Sequence, residues 1–179
     1  MRIRQSKKHF LVFFMFGFIA GVFYANIVIK DYLAASGILS NYFLNQYANT
    51  KIVIEDYILY ILRIRMLPLI ALSILGCTKF RKIAVILMLS WTGFSTGLIL
   101  VEAVMKLGVK GIVLCLIGFV PHFIFYILAY MVLLWHLYSY PKKKWDTAKT
   151  IFVIVAMIIG VILEVYINPI LMKMFIAVI

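Results

Sequence analysis

The stretch GFVPHFIFYILAY, Gly118 to Tyr130, places a proline and a histidine side by side inside the longest apolar run of the chain. Pro121 removes a backbone N–H donor and restricts the residue before it, so a helix is expected to break here. The run from Val109 to Tyr140 is therefore predicted to form two half-helices that meet at Pro121. The break frees a carbonyl near Ile117, and His122 is the expected hydrogen-bond donor to it. The alternative role for His122 is a proton relay or a metal ligand.

The whole chain is apolar in composition. Of its 179 residues 66% are hydrophobic and 13% are charged, and the mean hydropathy is +1.11. Soluble domains are roughly half apolar and a quarter charged. Five apolar runs reach the length of a membrane span, which is about 20 residues. They are residues 10–29, 57–76, 83–105, 109–140 and 151–179. The sequence therefore predicts an all-α, polytopic membrane helix bundle that forms a single transmembrane domain over residues 1–179.

Basic clusters between the apolar runs predict the orientation. Three clusters, within residues 2–8, 79–82 and 142–149, alternate along the chain, as the positive-inside rule requires of cytoplasmic segments. We therefore expect a multi-pass protein of the bacterial cytoplasmic membrane, with its amino terminus inside and its carboxyl terminus outside. The run at 10–29 exceeds the apolar core of a signal peptide, about 7 to 15 residues, so a retained first span is preferred. The basic excess indicates topology and contacts to anionic lipid, and nucleic acid is not an expected partner.

The segment from 31 to 56 is expected on the outer side. Its apolar residues recur at roughly helical spacing among Ser, Asn and Gln, which predicts an interfacial helix. They are Tyr32, Leu33, Ile38, Leu39, Tyr42, Phe43 and Tyr47. This helix either packs over the bundle or receives an external partner.

Ionisable residues within the apolar runs need partners or water, because each costs about 2.5 to 3.5 kcal/mol on insertion. The candidates for a polar groove, expected at similar depth in the outer half, are Arg63, Arg65, Glu102, His122 and Glu164. Given a helix break at Asn168-Pro169, the geometry allows Arg63 or Arg65 to pair with Glu164 or Glu102. Arg63 and Arg65 are about 200° apart on one helix and cannot share a face. The pair either fixes helix register or forms a polar site for a peptide or ion.

The third run carries Gly93 and Gly97 four residues apart, the small-xxx-small pattern that lets helices approach closely. These glycines are expected to pack against the broken fourth helix or to line a cavity. Cys77 and Cys115 stand alone, and His122 has no second His or Cys at ligand spacing. No disulfide, metal site or cofactor is therefore predicted.

Three stretches together resemble the stage II sporulation protein M family of integral membrane proteins. They are GFSTG in the third run, LGVKGIVLCLIGFVPHFIFYILA from Leu107 to Ala129, and LEVYINPIL from Leu163 to Leu171. The most specific element has fixed spacing between Gly108, Lys110, Gly111, Pro121 and Ala129. An acid-to-proline element supports it, namely Glu164, Tyr166 and Pro169.

The resemblance implies two kinds of role. Sporulation members are scaffolds that assemble cell-wall hydrolases at the engulfing membrane. Related short members accompany circular bacteriocin genes and are implicated in maturing and exporting those hydrophobic peptides. We expect an integral membrane subunit that assembles with other membrane proteins and handles a hydrophobic peptide in circular bacteriocin maturation, export or immunity. The engulfment scaffold is the alternative.

The expected partners are the lipid bilayer, other membrane proteins and a hydrophobic peptide. The membrane partners would be an ABC-type ATPase or permease, or the cell-wall hydrolases of the alternative. A further alternative is an intramembrane peptidase or ligase that uses His122 and Glu164. No nucleophile stands out, since Ser95 has no adjacent base in the sequence, and no catalytic residue is assigned.

Overall fold

The computed structural model describes residues 2–28, 30–31, 39–140 and 145–178. Its helices are, in chain order, α1 (Arg2–Ile27), α2 (Asn41–Asn49), α3 (Ile54–Gly76), α4 (Arg81–Leu107), α5 (Val109–Phe119), α6 (His122–Ser139), α7 (Thr147–Ile162), a π-helical segment (Leu163–Ile167) and α8 (Asn168–Ile176). The described part of the chain contains no β-strand. The predicted all-α class is confirmed.

Five helical stretches are long and apolar enough to cross a membrane. They are His9–Ile27, Ile54–Gly76, Arg81–Leu107, His122–Ser139 and Thr147–Ile176. The predicted multi-pass architecture is therefore confirmed. The break at Pro121 is also present, because neither Val120 nor Pro121 is helical. The two halves are unequal: α6 has 18 residues and reaches span length alone, whereas α5 has only 11.

The helix predicted in the external segment is present as α2. Leu44 is buried in it, while Tyr42 and Phe43 are exposed. The predicted helical positions Tyr32, Leu33 and Ile38 lie outside the described residues, as do Lys142, Lys143 and Lys144 of the third basic cluster.

The residues group into two compact units, and the first is built from Met1–Asn49 and Ile86–Cys115. In this unit α1 and α4 meet through glycines of both helices. A Cβ added at Gly97 would lie 2.6 Å from the Phe18 carbonyl oxygen, and one at Gly93, Gly17 or Gly21 would collide with backbone of the facing helix. The absent side chains let the two backbones touch. The prediction that Gly93 and Gly97 pack against the broken helix is wrong, because α1 carries the matching glycine pair.

A tight turn joins α4 to α5 in the same unit. The backbone of Gly108 has a φ of 57 degrees, a left-handed conformation that favours glycine. The N–H of Gly111 donates a hydrogen bond to the Gly108 carbonyl at 3.1 Å. A Cβ at Gly111 would collide with the Ala103 carbonyl oxygen. These two glycines therefore let the start of α5 lie directly against the end of α4.

The second unit is built from Thr50–Val85 and Leu116–Val178. Within it α6 and α7 pack side by side, and α3 contacts both of them and the π-helical segment. The buried core draws on all three helices and on the π-helical segment. Its members are Ile61, Tyr126, Ala129, Val153, Ala156, Met157, Val161 and Val165.

The fifth span continues through Pro169 without a break. The predicted break at Asn168-Pro169 is wrong, because the helix widens into the π-helical segment immediately before the proline. Proline has no N–H to donate, and its ring crowds the carbonyl of the preceding turn. A single wide turn relieves this crowding and lets the helix continue.

Candidate functional site

Three of the five candidate polar residues come together in the second unit. They are Arg65, His122 and Glu164, and the hydroxyls of Tyr126 and Tyr130 join them. We call these five residues the Arg65–Glu164 cluster. Glu164, His122 and Tyr126 are each 5% exposed or less. The cluster is thus a buried polar site within helices of span length.

Local sequence places each member of the cluster. Arg65 is the middle residue of α3, which has 23 residues from Ile54 to Gly76. Glu164 lies in the π-helical segment, whose wider turn changes the direction of its side chain relative to an α-helix. Gly160, one turn earlier, makes room for the Tyr126 ring, since a Cβ there would lie 2.6 Å from its Cε1. Pro121 precedes the first helical residue of α6, His122.

The centre of the cluster is a forked ion pair. Nε of Arg65 donates to Oε2 of Glu164 at 3.0 Å, and Nη2 donates to Oε1 at 2.5 Å. The hydroxyl of Tyr126 donates to Oε2 at 2.7 Å. Bidentate, charge-assisted pairs of this kind are among the stronger polar interactions in proteins. They neutralise both charges where water is scarce.

Two tyrosines of α6 also hold Arg65. The Tyr126 ring lies under the guanidinium, with Cζ 4.9 Å from the ring centroid. The Tyr130 hydroxyl donates to the backbone carbonyl of Arg65 at 2.9 Å. Because α6 contacts both the side chain and the backbone of Arg65, it fixes the rotation of α3 about its own axis.

His122 does not have the predicted role. Its Nε2 lies 3.8 Å from Oε1 of Glu164, and its Nδ1 is buried without a hydrogen-bond partner among the described residues. The prediction that it donates to the carbonyl freed near Ile117 is therefore wrong. The imidazole packs edge-on against Tyr126 instead, with 5.9 Å between ring centroids.

The two arginines separate as their spacing requires. Arg63 is exposed, whereas Arg65 faces the cluster and keeps 29% of its side chain exposed. Because α3 begins at Ile54 rather than Tyr57, Arg65 is three residues further from the start of the helix than the sequence predicts. Arg65 thus lies at the middle of α3, and its position in the outer half of the membrane stays a prediction.

Glu102 belongs to the first unit. It is buried, and its Oε1 accepts a hydrogen bond from the backbone N–H of Leu39 at 2.8 Å. The carboxylate thus anchors the residue that leads into α2. This contact ties the residues that precede α2 to α4.

The remaining residues of the stretches that carry the resemblance have separate positions. Gly108 and Gly111 form the α4–α5 turn, and Lys110 beside them is exposed. Ala129 is fully buried in the core of the second unit, while Tyr166 is half exposed on the π-helical segment.

Sequence analysis missed the two tyrosines of the cluster and the glycine pair of α1. The tyrosines were detectable, because His122, Tyr126 and Tyr130 are spaced by four and share one helix face. The glycines were detectable as well, since Gly17 and Gly21 repeat the spacing of the pair in the third run. The π-helical turn has no comparable sequence pattern beyond the proline that follows it.

The donors of the cluster converge on one carboxylate. Both oxygens of Glu164 accept hydrogen bonds from Arg65 or Tyr126. Across the described ranges, no three His, Cys, Asp or Glu side chains come close enough together to hold a metal ion. Arg65 uses only two of its N–H groups on Glu164, and a guanidinium has further donors. The Arg65 side chain is 29% exposed and so has N–H groups left for a further acceptor.

Comparison with protein-family models, with curated proteins and with solved structures finds no match to this chain. The resemblance to the stage II sporulation protein M family therefore depends on the three quoted stretches. The structure supplies a helical membrane architecture and a buried ion pair at mid-helix.

Proposed function

We propose that this chain is an integral membrane subunit that assembles with other membrane proteins and handles a hydrophobic peptide, in circular bacteriocin maturation, export or immunity. The observation that carries the proposal is the partial exposure of the Arg65 side chain, 29%, at the middle of α3. A donor at this depth in a bilayer needs an acceptor, because lipid chains offer none. The backbone carbonyls of an apolar peptide lying against α3 would provide it.

The surface beside Arg65 suits such a peptide. Ile64 is exposed on α3 and Pro68, three residues after Arg65, is half-buried, so an apolar segment would find apolar contacts near the guanidinium. Lipid chains would cover these side chains equally well, but they would leave the N–H groups of Arg65 unpaired. Glu164 contributes by holding the guanidinium in one orientation through the fork. The resemblance to the bacteriocin-associated members supplies the biological setting.

The test is deletion of the gene in its host, followed by complementation. We expect deletion to abolish release of the hydrophobic peptide, measured by growth inhibition of a sensitive strain, and to leave engulfment normal under the microscope. The double variant Arg65→Gln, Glu164→Gln removes the guanidinium and its counter-ion together. It should accumulate in the membrane at the wild-type level and still fail to restore peptide release. Arg63→Gln is the matched control and should restore it.

The engulfment scaffold is the second candidate, and α2 favours it. This helix carries exposed Tyr42 and Phe43, and the contact between Glu102 and Leu39 fixes its start. Such a helix suits an external enzyme as partner. If deletion arrests engulfment while peptide release is unchanged, the scaffold replaces peptide handling. Exchange of residues 31–56 for an unrelated linker should then abolish the function, and substitutions at Arg65 and Glu164 should be tolerated.

A further inference from the structure

A cavity of about 640 Å³ lies at one end of the second unit, away from the Arg65–Glu164 cluster. Its walls come from the last turns of α3, the start of α4, the end of α6 and the start of α7. The volume falls within the ~300–1,000 Å³ of pockets that bind small molecules. Neither the proposed function nor the resemblance assigns it a role.

The walls of this cavity change from apolar to polar along its length. Leu69, Leu133 and Val153 line the part that lies toward the middle of the helices. Arg81 and Trp145 line the part at the helix ends, together with Tyr140, His136 and Thr150. An apolar interior with a basic and aromatic rim matches a molecule that has a hydrocarbon chain and an anionic head.

Arg81 is arranged to bind such a head. Its Cζ lies 4.1 Å from the centroid of the Tyr140 ring, so the planar guanidinium is supported on one face. Within the described residues it forms no ion pair with a carboxylate. Stacked arginines keep the edge of the guanidinium for hydrogen bonds, and that edge matches a phosphate in bidentate geometry.

His136 and Trp145 complete the rim. Their rings meet edge-on at 4.8 Å between centroids, and Nε1 of Trp145 donates to Oγ1 of Thr150 at 2.6 Å. Nδ1 of His136 has no hydrogen-bond partner within the described ranges. Tryptophan and tyrosine are enriched at the level of lipid headgroups, which places this rim where a phosphate would be.

The sequence on either side of the lining residues Arg81 and Trp145 is rich in basic residues, which favours an anion. Between residues 77 and 82, and between 140 and 150, the basic residues are Lys79, Arg81, Lys82, Lys142, Lys143, Lys144 and Lys149, and the only acidic residue is Asp146. Basic pockets between membrane helices bind anionic lipid headgroups. We infer that the cavity is a binding site for an anionic phospholipid, with one acyl chain between Leu69 and Val153 and the phosphate on the guanidinium of Arg81.

The test uses Trp145 as a fluorescent reporter in the full chain. The other two tryptophans, Trp91 and Trp135, are replaced by phenylalanine, and the protein is reconstituted into phosphatidylcholine vesicles. Phosphatidylglycerol or phosphatidylcholine with brominated acyl chains is then added in steps, since bromine quenches tryptophan at short range. We expect brominated phosphatidylglycerol to quench at a mole fraction about tenfold lower than phosphatidylcholine.

Matched variants distinguish lipid binding in the cavity from a general attraction of anionic lipid to basic residues. Arg81→Gln should remove the preference for phosphatidylglycerol, whereas Lys82→Gln, at an exposed neighbour outside the lining, should keep it. Arg81→Lys keeps the charge without the fork and should show an intermediate preference. Ser73→Phe fills the cavity and should reduce quenching by both lipids. Circular dichroism and gel filtration check that each variant is folded. If Arg81→Gln does not fold, Arg81→Lys and Ser73→Phe decide whether the cavity binds the lipid.

Three results would overturn the inference. The first is equal quenching by the two lipids in the parent protein, and the second is an equal loss of preference in Arg81→Gln and Lys82→Gln. The third is displacement of brominated phosphatidylglycerol by a free fatty acid at the same concentration as by unlabelled phosphatidylglycerol. That third result would assign the cavity to a carboxylate amphiphile instead of a phospholipid.

Discussion

The guanidinium of Arg65 and the carboxylate of Glu164 face each other through two hydrogen bonds, at 3.0 and 2.5 Å, although 99 residues separate them in the chain. One residue is at the middle of α3 and the other is in the π-helical segment of the fifth span. The pair therefore fixes how these two spans sit against each other within the second unit. In an apolar environment, removal of one side chain of the pair leaves the charge of the other side chain buried without a counter-ion.

Replacement of Glu164 by glutamine should destabilise the protein strongly. We expect a loss of about 3 kcal/mol in the free energy of unfolding, at the lower end of the range for breaking a buried pair, because Arg65 keeps some exposure. The measurement is reversible unfolding in mixed detergent micelles. Arg63→Gln on the same helix is the control and should change stability by less than about 0.5 kcal/mol.

A compensating exchange tests the pair itself. Glu164→Arg should be at least as harmful as Glu164→Gln, and Arg65→Glu combined with Glu164→Arg should recover part of the loss. No recovery in the double variant, with both single variants destabilised, would mean that the two side chains act independently.

The two tyrosines of α6 should differ in importance. Tyr126 donates to a buried carboxylate, whereas Tyr130 donates to a neutral carbonyl. Tyr126→Phe should therefore cost about 1.5 to 3 kcal/mol, and Tyr130→Phe should cost about 1 kcal/mol. Both changes keep the ring, so packing is matched. The free energy of unfolding of both variants is measured in the same way. A larger loss for Tyr130→Phe than for Tyr126→Phe would contradict the hydrogen bonds described here.

Glycine substitutions should separate rigid contacts from adaptable ones. A Cβ at Gly93 would meet the backbone of α1, which cannot rotate away, so Gly93→Ala should destabilise the first unit by several kcal/mol. Gly118→Ala is the matched control, since its Cβ would lie 3.3 Å from the flexible Met172 side chain. The midpoint of thermal unfolding should fall clearly for the first variant and change little for the second. Equal shifts would count against close α1–α4 contact.

His122 should prove dispensable for stability. Its Nε2 is 3.8 Å from Oε1 of Glu164, and its Nδ1 is unpaired in the described structure. That separation is beyond hydrogen-bond distance. Replacement by leucine removes these buried polar atoms while keeping an apolar side chain, so we expect a change in unfolding free energy of less than about 1 kcal/mol. A loss as large as that of Glu164→Gln would show that the imidazole supports the carboxylate after all.

An enzymatic role would make the same residue essential to turnover. The double variant His122→Ala, Glu164→Gln would then lose product formation, measured as the matured peptide in cells. Matured peptide that persists in a variant still present in the membrane would remove the peptidase or ligase alternative.

Much of the architecture followed from the sequence because apolar runs and prolines act locally. The five spans and the break at Pro121 depend on hydrophobic length and on a missing donor, and both are visible in the chain itself. The sequence could not show that Arg65 rather than Arg63 pairs with Glu164. The two arginines lie on different faces of the same helix, and the sequence does not say which face packs against the fifth span. The fifth span continues through Pro169 because the π-helical segment, which includes Glu164, precedes the proline. No local propensity of the sequence indicates this π-helical segment.

The contact between Glu102 and Leu39 gives a prediction for the residues that precede α2. Glu102→Ala removes the acceptor for the Leu39 N–H. Hydrogen exchange at that amide should accelerate about tenfold or more, since a hydrogen bond to a charged group contributes about 1.5 to 3 kcal/mol. Glu102→Gln keeps a carbonyl oxygen and should accelerate it less. Thr92→Val is the control, because the Thr92 hydroxyl bonds only within α4. Exchange at Leu39 that does not respond to Glu102→Ala would mean that other contacts hold the start of α2.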